Sequence, residues 1–489
     1  MRSASSGQVA RSGPVLAGRA GRLIWDIGPP GSRPRGGVRG TRGSTPIGDF
    51  RQTLNRGGQA GPRLPLVSES ASPTRAGFEQ LREPQFRRLF AARFISAFGS
   101  AMAPVAIAFG VLDLTGSARS IGLVIAAQTV AQLGFQLFGG ALADRGSRRR
   151  TIVGGDLLAA AAQGTIALLF LTGGATVGLL ALLMAVNGVA FALLWPATVG
   201  LVPQLVPREQ LQSANALLAL AQSGAFGLGG AAAGLLVAAA GAGWAIALDA
   251  GTFLTSAALV FSLRPRPQER GDSQSLLRDL REGLDEFLSH RWLWAIVAQF
   301  SLVVAAWNGG FMIVGPVVAE RALGGPAVWG GIAGAFGAGL LVGGLIGMRF
   351  AFRRPMLAAT LWVLAFSLPL LCLAGPSPVL VIAAAAFLAG VGGELFGVIW
   401  NTALHTEVAP DKLSRVSAYD VIGSIALAPV GEALAGPLVE WIGAGPTLLW
   451  GAAFIIVPTL VVLLVPEVRT LGARSPGGKR ERPASRPAL

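Results

Sequence analysis

The chain has 489 residues, of which 52% are hydrophobic and only 13% are charged, and its mean hydropathy is +0.59. This composition excludes an ordinary soluble protein and predicts many membrane crossings. The formal net charge of +15 does not indicate a nucleic-acid-binding face, because the arginines lie mainly in the terminal segments and in short loops. One cysteine, Cys372, excludes an intramolecular disulfide, and two distant histidines form no metal-ligand cluster.

The N-terminal segment, residues 1–79, is rich in Arg, Gly, Ser and Pro. It offers too little apolar surface to offset the entropy lost on ordering, which predicts a disordered basic tail. A reading frame that starts too far upstream is the alternative explanation. Residues 469–489 form a second basic segment that we also expect to be disordered.

Twelve apolar runs follow, each long enough to cross the roughly 30 Å hydrocarbon core of a bilayer. Gly and Ala dominate the runs, which favours close packing of helices in lipid. The predicted spans are 94–112, 121–143, 151–173, 177–199, 214–240, 244–263, 293–318, 329–348, 356–373, 379–400, 416–440 and 447–465.

Basic residues in the loops predict the orientation of these spans. One set of span ends carries most of the arginines, including Arg87, residues 148–150 and Arg353, whereas the other set carries Arg119 and Arg321. By the positive-inside rule the first set is cytoplasmic. Both termini are then cytoplasmic, which requires an even number of spans.

The longest internal loop, residues 264–292, lies between the sixth and seventh spans. Its apolar residues Leu276, Leu280, Leu284 and Phe287 recur at helical spacing, which predicts an amphipathic helix on the cytoplasmic surface. The loop divides the chain into an N-terminal bundle, 80–263, and a C-terminal bundle, 293–468.

The two predicted bundles are similar in sequence. Residues 211–216 match residues 413–418 at an offset of 202, and Gly229 and Gly234 match Gly431 and Gly436. Two similar six-helix halves are typical of transporters that work by alternating access, with the substrate site between the halves. We therefore predict an all-α integral membrane protein with twelve transmembrane helices in two pseudo-symmetric six-helix bundles.

The loop between the second and third spans carries a glycine, an acid and spaced arginines. The residues are Gly140, Asp144, Arg145, Arg148 and Arg149. This pattern resembles the loop signature of the major facilitator superfamily, and the resemblance extends over residues 80 to 468. Residues 86–90, 205–211 and 248–254 are similar to a bacterial branch of exporters that handles drugs, macrolides and siderophores.

The resemblance implies a conformational latch at this loop. Asp144, with Arg145 and Arg149, would contact the cytoplasmic start of the eleventh span near Arg415 and hold the outward-open state. The equivalent stretch of the second half, residues 343–354, has the arginines but lacks the acid. Arginines alone would satisfy the positive-inside rule, so the presence of Asp144 is the feature that needs a functional explanation.

Carboxylates inside the spans are candidates for proton coupling, because an ionisable side chain in hydrocarbon costs at least about 2.5 kcal/mol. Glu394 is the preferred coupling acid, since the resemblance implies that the tenth span lines the central cavity. Its alternative role is a hydrogen bond to helix backbone or the lining of a water-filled cavity. An interhelical pair is the alternative for Glu432, and structural roles are the alternative for the two aspartates. The four candidates are Glu394, Glu432, Asp249 and Asp156.

Polar and aromatic residues of the inner helices are candidates for substrate contact. Gln128, Gln132 and Gln136 lie on one face of the second span, where bonding between helices is the alternative role. The other candidates are Asn187, Trp195, Gln299, Trp307, Asn308 and Trp400. Rings with a few amides suit an amphiphilic solute, and helix packing is the alternative for each tryptophan. We expect Arg93 to snorkel to the membrane surface.

Together these features predict a multi-pass protein of the cytoplasmic membrane that exports hydrophobic or amphiphilic small molecules by alternating access and proton antiport. Its predicted partners are the substrate, protons and the lipid bilayer, without nucleic acid. We expect a monomer without a cofactor, driven by the proton gradient. A lysolipid flippase or a non-transporting membrane sensor on the same scaffold is the alternative. An enzyme would need a nucleophile with a base or a metal cluster, which the sequence does not offer.

Overall fold

The computed structural model describes residues 80–145, 147–266, 276–350, 352–409 and 412–472. Within these ranges, the side chains of residues 137–145, 208, 276–280 and 414 are not described. All described residues belong to one compact unit, Glu69–Leu489. The predicted N-terminal tail and most of the predicted C-terminal tail lie outside the described residues.

The described chain is helical, and its long helices follow each other in chain order. The first six are α1 (Pro84–Thr115), α2 (Ala118–Arg145), α3 (Arg148–Thr172), α4 (Val177–Leu205), α5 (Leu211–Ala240) and α6 (Ala242–Phe261). A shorter helix, α7 (Leu276–Ser289), follows. The next six are α8 (Arg291–Leu323), α9 (Pro326–Arg349), α10 (Pro355–Leu373), α11 (Val379–Glu407), α12 (Leu413–Ile425, continued by Ala428–Ile442) and α13 (Ala444–Val462). The short helix α14 (Pro466–Thr470) ends the described chain.

Eleven of the helices in the described ranges are long and apolar enough to cross a membrane. Helix α2, with 28 residues, is not among the eleven; the side chains of its residues 137–145 lie outside the described part of the chain. The prediction of an all-helical membrane protein is confirmed, and each predicted span overlaps a long helix. The count of twelve spans and the cytoplasmic position of both termini stay predictions. The amphipathic helix predicted between the halves is α7.

The internal repeat is also present in the backbone. Helix α5 begins at Leu211 and α12 begins at Leu413, which is the offset of 202 seen in the sequence. Both helices end at a glycine, Gly241 and Gly443, and these glycines are again 202 residues apart. Each has a φ of +88°, a left-handed conformation that glycine adopts without strain. The two halves therefore make the same tight turn at the same place.

The repeated glycines bring equivalent helices together within each half. Gly229 of α5 lies against the carbonyl of Phe98 in α1, and Gly431 of α12 lies against the carbonyl of Ala305 in α8. A Cβ atom at either glycine would overlap the neighbouring carbonyl. Small residues at such crossings let two helix backbones approach closely in a membrane protein.

A second pair of repeated glycines joins the two halves to each other. Gly234 of α5 lies against Gly330 of α9, and Gly436 of α12 lies against the backbone of Arg119 in α2. Gly227 of α5 extends the first contact, since it packs backbone to backbone on α9. Helix pairs α5–α9 and α2–α12 thus form the glycine contacts between helices α1–α6 and helices α8–α13.

These contacts lie toward one end of the helices. We name the end at which α1, α3 and α5 begin the basic end, because it carries Arg87, Arg88 and residues 148–150. The glycine contacts described above run from the middle of the helices to the opposite end. There the hydroxyl of Ser117, just before α2, donates to Glu440 Oε1 of α12 at 3.2 Å.

The variant Gly431→Ala tests the close approach of α12 and α8. We expect it to destabilise the protein by about 1–3 kcal/mol, because the added methyl group overlaps a backbone carbonyl that cannot move aside. Gly229→Ala should have an effect of the same sign. The measurement is the apparent Tm of the purified protein in detergent. Gly154→Ala in α3 is the matched control, since its added Cβ would meet open space. An unchanged Tm in Gly431→Ala would contradict the close packing.

Candidate functional site

Glu432 is a buried carboxylate at the point where α12 meets α8 and α2. Its side chain is 1% exposed, and Oε1 accepts a hydrogen bond from Asn308 Nδ2 at 2.7 Å. The backbone of Glu432 lies against Gly122 of α2. Asn308 begins a π-helical segment, Asn308–Val314, and such segments are frequent at functional sites. The pair Asn308–Glu432 therefore lies at the contact between the two sets of helices.

Glu394 of α11 has a different environment. Its side chain is half-buried and packs on Gly343 and Gly344 of α9, where the absence of side chains makes room for it. In the part of the chain that the structure describes, Glu394 has neither a hydrogen bond nor an ion pair from its side chain. Among the four predicted carboxylates it is the one without such a partner.

Asp156 of α3 is bonded to side chains of α1 and α6. Arg93 Nη2 of α1 lies 3.6 Å from Asp156 Oδ2, and Ser256 of α6 donates to the same oxygen at 2.7 Å. Arg93 also donates to Ser256 Oγ at 3.0 Å and to Thr198 Oγ1 of α4 at 3.1 Å. The expectation that Arg93 snorkels to the surface is wrong: it is 8% exposed, because a buried carboxylate lies within its reach.

Asp249 of α6 is fully buried in the same half. Its Oδ2 accepts a hydrogen bond from Gln163 Nε2 of α3 at 2.9 Å, and its backbone carbonyl accepts one from Thr252 at 2.7 Å. Gly99 of α1 packs directly on Thr252. Both aspartates thus join α3 and α6 near α1, away from the glycine contacts between the two sets of helices.

Asp420, another buried carboxylate, was not among the predicted site residues. It lies in α12 and accepts a hydrogen bond from Trp400 Nε1 at 3.0 Å. Trp400 stacks on Phe396, which stacks on Phe300 of α8 with ring centroids 4.8 Å apart. The signal was available in the sequence, because Asp420 lies inside the predicted span 416–440. Trp400 is therefore placed by a hydrogen bond and by a stack of aromatic rings.

The predicted amide face of α2 meets α4. Gly188 of α4 lies directly against the carbonyl of Gln128, and Gln132 is on the same helix surface. Asn187, next to this glycine, is buried. The side chains of Gln128 and Gln132 are half-buried, so they are partly accessible beside a tight helix crossing.

The remaining predicted contact residues have separate surroundings. Gln299 is buried and donates to Thr459 of α13 at 2.8 Å. Trp307 is buried and stacks on Phe311 with ring centroids 4.2 Å apart. Trp195 of α4, in contrast, is 57% exposed. In this conformation Gln299 and Trp307 are packing residues.

A cavity of about 20 Å³ lies among α1, α5, α8 and α9, and its lining includes Phe226, Phe311 and Trp329. This volume is near that of one water molecule, whereas sites for drug-sized ligands measure about 300–1,000 Å³. A larger solute can enter this region only if the helices move apart.

The predicted latch residues fall into two groups. Gly140, Asp144 and Arg145 belong to α2, but their side chains lie outside the described part of the chain, so the latch itself stays a prediction. The other three are basic residues with described partners. Arg148 donates to the carbonyl of Gly200 at 2.5 Å, Arg149 donates to the carbonyl of Leu263 at 2.8 Å, and Arg415 pairs with Glu282 of α7 at 2.7 Å.

Comparison with protein families identifies the scaffold. Residues 89–419 match the Major Facilitator Superfamily. The chain belongs to this superfamily. Superfamily members are transport proteins and not enzymes, so the predicted class of protein is confirmed.

Curated relatives match nearly their whole length. The macrolide efflux protein A of Streptococcus pyogenes is 25% identical over 402 residues, which cover 79% of this chain and 97% of the relative. The multidrug efflux pump Tap of Mycolicibacterium fortuitum is 27% identical over 410 residues, covering 81% and 98%. The enterobactin exporter EntS of Escherichia coli O1:K1 / APEC is 27% identical over 407 residues, covering 79% and 93%.

Solved structures of transporters share the fold. The nucleoside transporter NupG superposes with a TM-score of 0.61 at 14% identity, covering 78% of this chain and 98% of its own. A bacterial homolog of the human lysosomal transporter Spinster, in an inward-facing and unoccupied conformation, superposes with a TM-score of 0.57 at 15% identity, covering 80% and 99%. At these identities the likeness establishes the superfamily fold alone.

The buried pair Arg93–Asp156 generates a stability prediction. Asp156→Asn should lower the free energy of unfolding by about 3 kcal/mol, because it leaves the Arg93 charge unpaired inside the protein. The double variant Arg93→Leu/Asp156→Leu should be less destabilised than Asp156→Asn, since it removes both charges. Apparent Tm values measure both effects, with Asp113→Asn at the exposed end of α1 as the control. A wild-type Tm for Asp156→Asn would rule out the structural role of the pair.

Proposed function

We propose that the protein is a secondary active transporter that exports hydrophobic or amphiphilic small molecules across the cytoplasmic membrane. The observation that carries this proposal is the match, over more than nine-tenths of their length, to relatives named as efflux proteins and exporters. Their names include macrolides, multiple drugs and enterobactin, which are organic solutes of varied structure. We infer a substrate of the same broad class.

The proposed topology has twelve transmembrane helices, α1–α6 and α8–α13, with both termini in the cytoplasm. The positive-inside rule supports it, because the arginine-rich loops all fall at the basic end. Helix α2 is then the second span and brings the total to twelve, and its Gln128 and Gln132 lie where α2 packs on α4. The basic end is cytoplasmic in this topology.

The proposed cycle is a rocking motion of residues 80–263 against residues 293–468. Glycine contacts in the half of the helices away from the basic end support an arrangement that is closed toward the outside. Export then requires that the pairs α5–α9 and α2–α12 separate at that end, while the basic end closes. The protein acts as a monomer in this scheme, since each chain carries both halves.

We assign proton coupling to Glu394, with Glu432 as the second acid. Glu394 is half-buried without a described polar partner, and a carboxyl group in that position is stabilised by binding a proton or by meeting water. Glu432 accepts its hydrogen bond from Asn308 at the contact that opens in the cycle. The proton gradient supplies the energy, and the scheme needs no cofactor.

Export itself is tested by drug and dye accumulation in bacterial cells that lack their main efflux pumps. Expression of the protein should lower the accumulation of cationic dyes, macrolides or siderophores, and an uncoupler of the proton gradient should abolish the difference. Cells with an empty vector are the control. Equal accumulation with and without the protein, across the whole panel, would point to a non-transporting sensor.

Glu394→Gln tests the coupling acid. We expect loss of transport driven by a pH gradient, with exchange of substrate across vesicles retained, because the amide cannot carry a proton. The matched control is Glu407→Gln, an exposed acid at the end of the same helix. If Glu394→Gln vesicles still couple transport to the gradient, the coupling acid is elsewhere, and Glu432→Gln is the next variant.

Asp144→Asn tests the proposed latch of Asp144, Arg145 and Arg149 against α12. The variant should lower export at unchanged expression, since an amide loses the charge that favours a helix N-terminus by roughly 0.3–1 kcal/mol. Export is measured in the same cells, and membrane abundance is measured in parallel. Normal efflux by Asp144→Asn would remove the latch from the mechanism.

A further inference from the structure

A crevice opens at the basic end on the side of α1, α3 and α6. Its volume is about 650 Å³, and three arginines line it: Arg88 at the start of α1, Arg149 at the start of α3 and Arg264 after α6. Gln85 lines it as well. No carboxylate is among the described residues that line the crevice, so its charge is strongly positive.

Hydrogen bonds to backbone groups hold the end of α6 against α1 and α3 beside the crevice. Arg149 Nη1 donates to the carbonyl of Leu263 at 2.8 Å, and Arg88 Nη1 lies 3.4 Å from the carbonyl of Ser262. The backbone N–H of Arg264 donates to Gln85 Oε1 at 3.0 Å. These bonds tie the end of α6 to α1 and α3, which fixes the backbone of Arg264 beside Arg88 and Arg149 at the edge of the crevice.

The arginines retain N–H donors that these hydrogen bonds do not use. A guanidinium group has five N–H donors, and Arg88 and Arg149 use Nη1 in the contacts given above. The side chain of Arg264 has no polar partner among the residues described, and both Arg88 and Arg264 are exposed. Arginine forks match the geometry of phosphate oxygens, which accept two parallel hydrogen bonds.

An apolar track leads away from the crevice along α6. Leu254, Ala258 and Phe261 lie on one face at i, i+4 and i+7, and all three are exposed. Phe261 is 66% exposed, lines the crevice and lies under the Arg149 guanidinium, 5.6 Å from its ring centroid. A ligand with a phosphate group and a long apolar chain would satisfy both parts of this surface.

We propose that the crevice binds the headgroup of an anionic phospholipid, with one acyl chain along α6. The crevice lies at the depth where arginine-rich helix ends meet a membrane surface, and basic pockets between transmembrane helices suit such headgroups. It lies on α1, α3 and α6, apart from the helix pairs α5–α9 and α2–α12 that contact each other between the halves. The lipid therefore binds at a place separate from the proposed path of the exported solute.

Lipid binding to the purified full-length protein tests this site. The delipidated protein is mixed with equal amounts of phosphatidylglycerol and phosphatidylcholine, and bound lipid is counted by native mass spectrometry. We expect preferential binding of phosphatidylglycerol, and a loss of about tenfold in its affinity in Arg88→Gln/Arg264→Gln. The matched control is Arg349→Gln/Arg354→Gln, which removes the same charge from exposed positions at the basic end of the other half.

The outcomes separate the alternatives. Retained binding in the control and weakened binding in the crevice variant support the site. Equal loss in both variants would mean diffuse attraction by the basic end and would overturn it. Equal binding of the two lipids would overturn it as well. Displacement of the lipid by an equal concentration of inorganic phosphate would identify a site for soluble anions instead.

Discussion

Contact between helix backbones at glycine is the constraint on which the rest of the structure depends. Gly234 meets Gly330, and Gly436 meets the backbone of Arg119, so the two sets of helices approach without intervening side chains. Such contacts depend on shape and not on long polar side chains, because lipid supplies no hydrophobic force to hold helices together. A surface of this kind can separate and close again without leaving many unpaired polar groups.

The buried carboxylates divide according to this interface. Asp156 and Asp249 are held by partners inside α1–α6, where removing one partner of a buried charge pair is costly. These pairs stabilise helices α1–α6, which move as a unit in the proposed cycle. Glu432 lies at the contact of α12 with α2, so its surroundings change as the halves move. Glu394 lies against α9 of its own half without a described polar partner, so in the proposed cycle its protonation depends on access to water.

The sequence predicted the helices, their repeat and the scaffold well, because the length of apolar runs and the match between residues 211 and 413 can be found without knowing any tertiary contact. It predicted individual side chains less well. Arg93 was placed at the surface because its position near a span end favours snorkelling, and its partner Asp156 is 63 residues away in the sequence. Asp420 was missed although it lies inside a predicted span, since its partner Trp400 is on another helix. Contacts between side chains on different helices depend on the tertiary fold, which the periodicity of the sequence does not show.

The most direct test of the rocking account is a cross-link between the halves at the end opposite the basic end. Ser117 and Glu440 are hydrogen-bonded there, and Cys372, the one cysteine of the sequence, can be replaced by serine to give a clean background. In Ser117→Cys/Glu440→Cys, a short bifunctional thiol reagent with a reducible spacer should join the two thiols and stop export, and a reductant should restore it. Export at the uncross-linked rate by the fully cross-linked protein would contradict the account, because the halves would then not need to separate at that end.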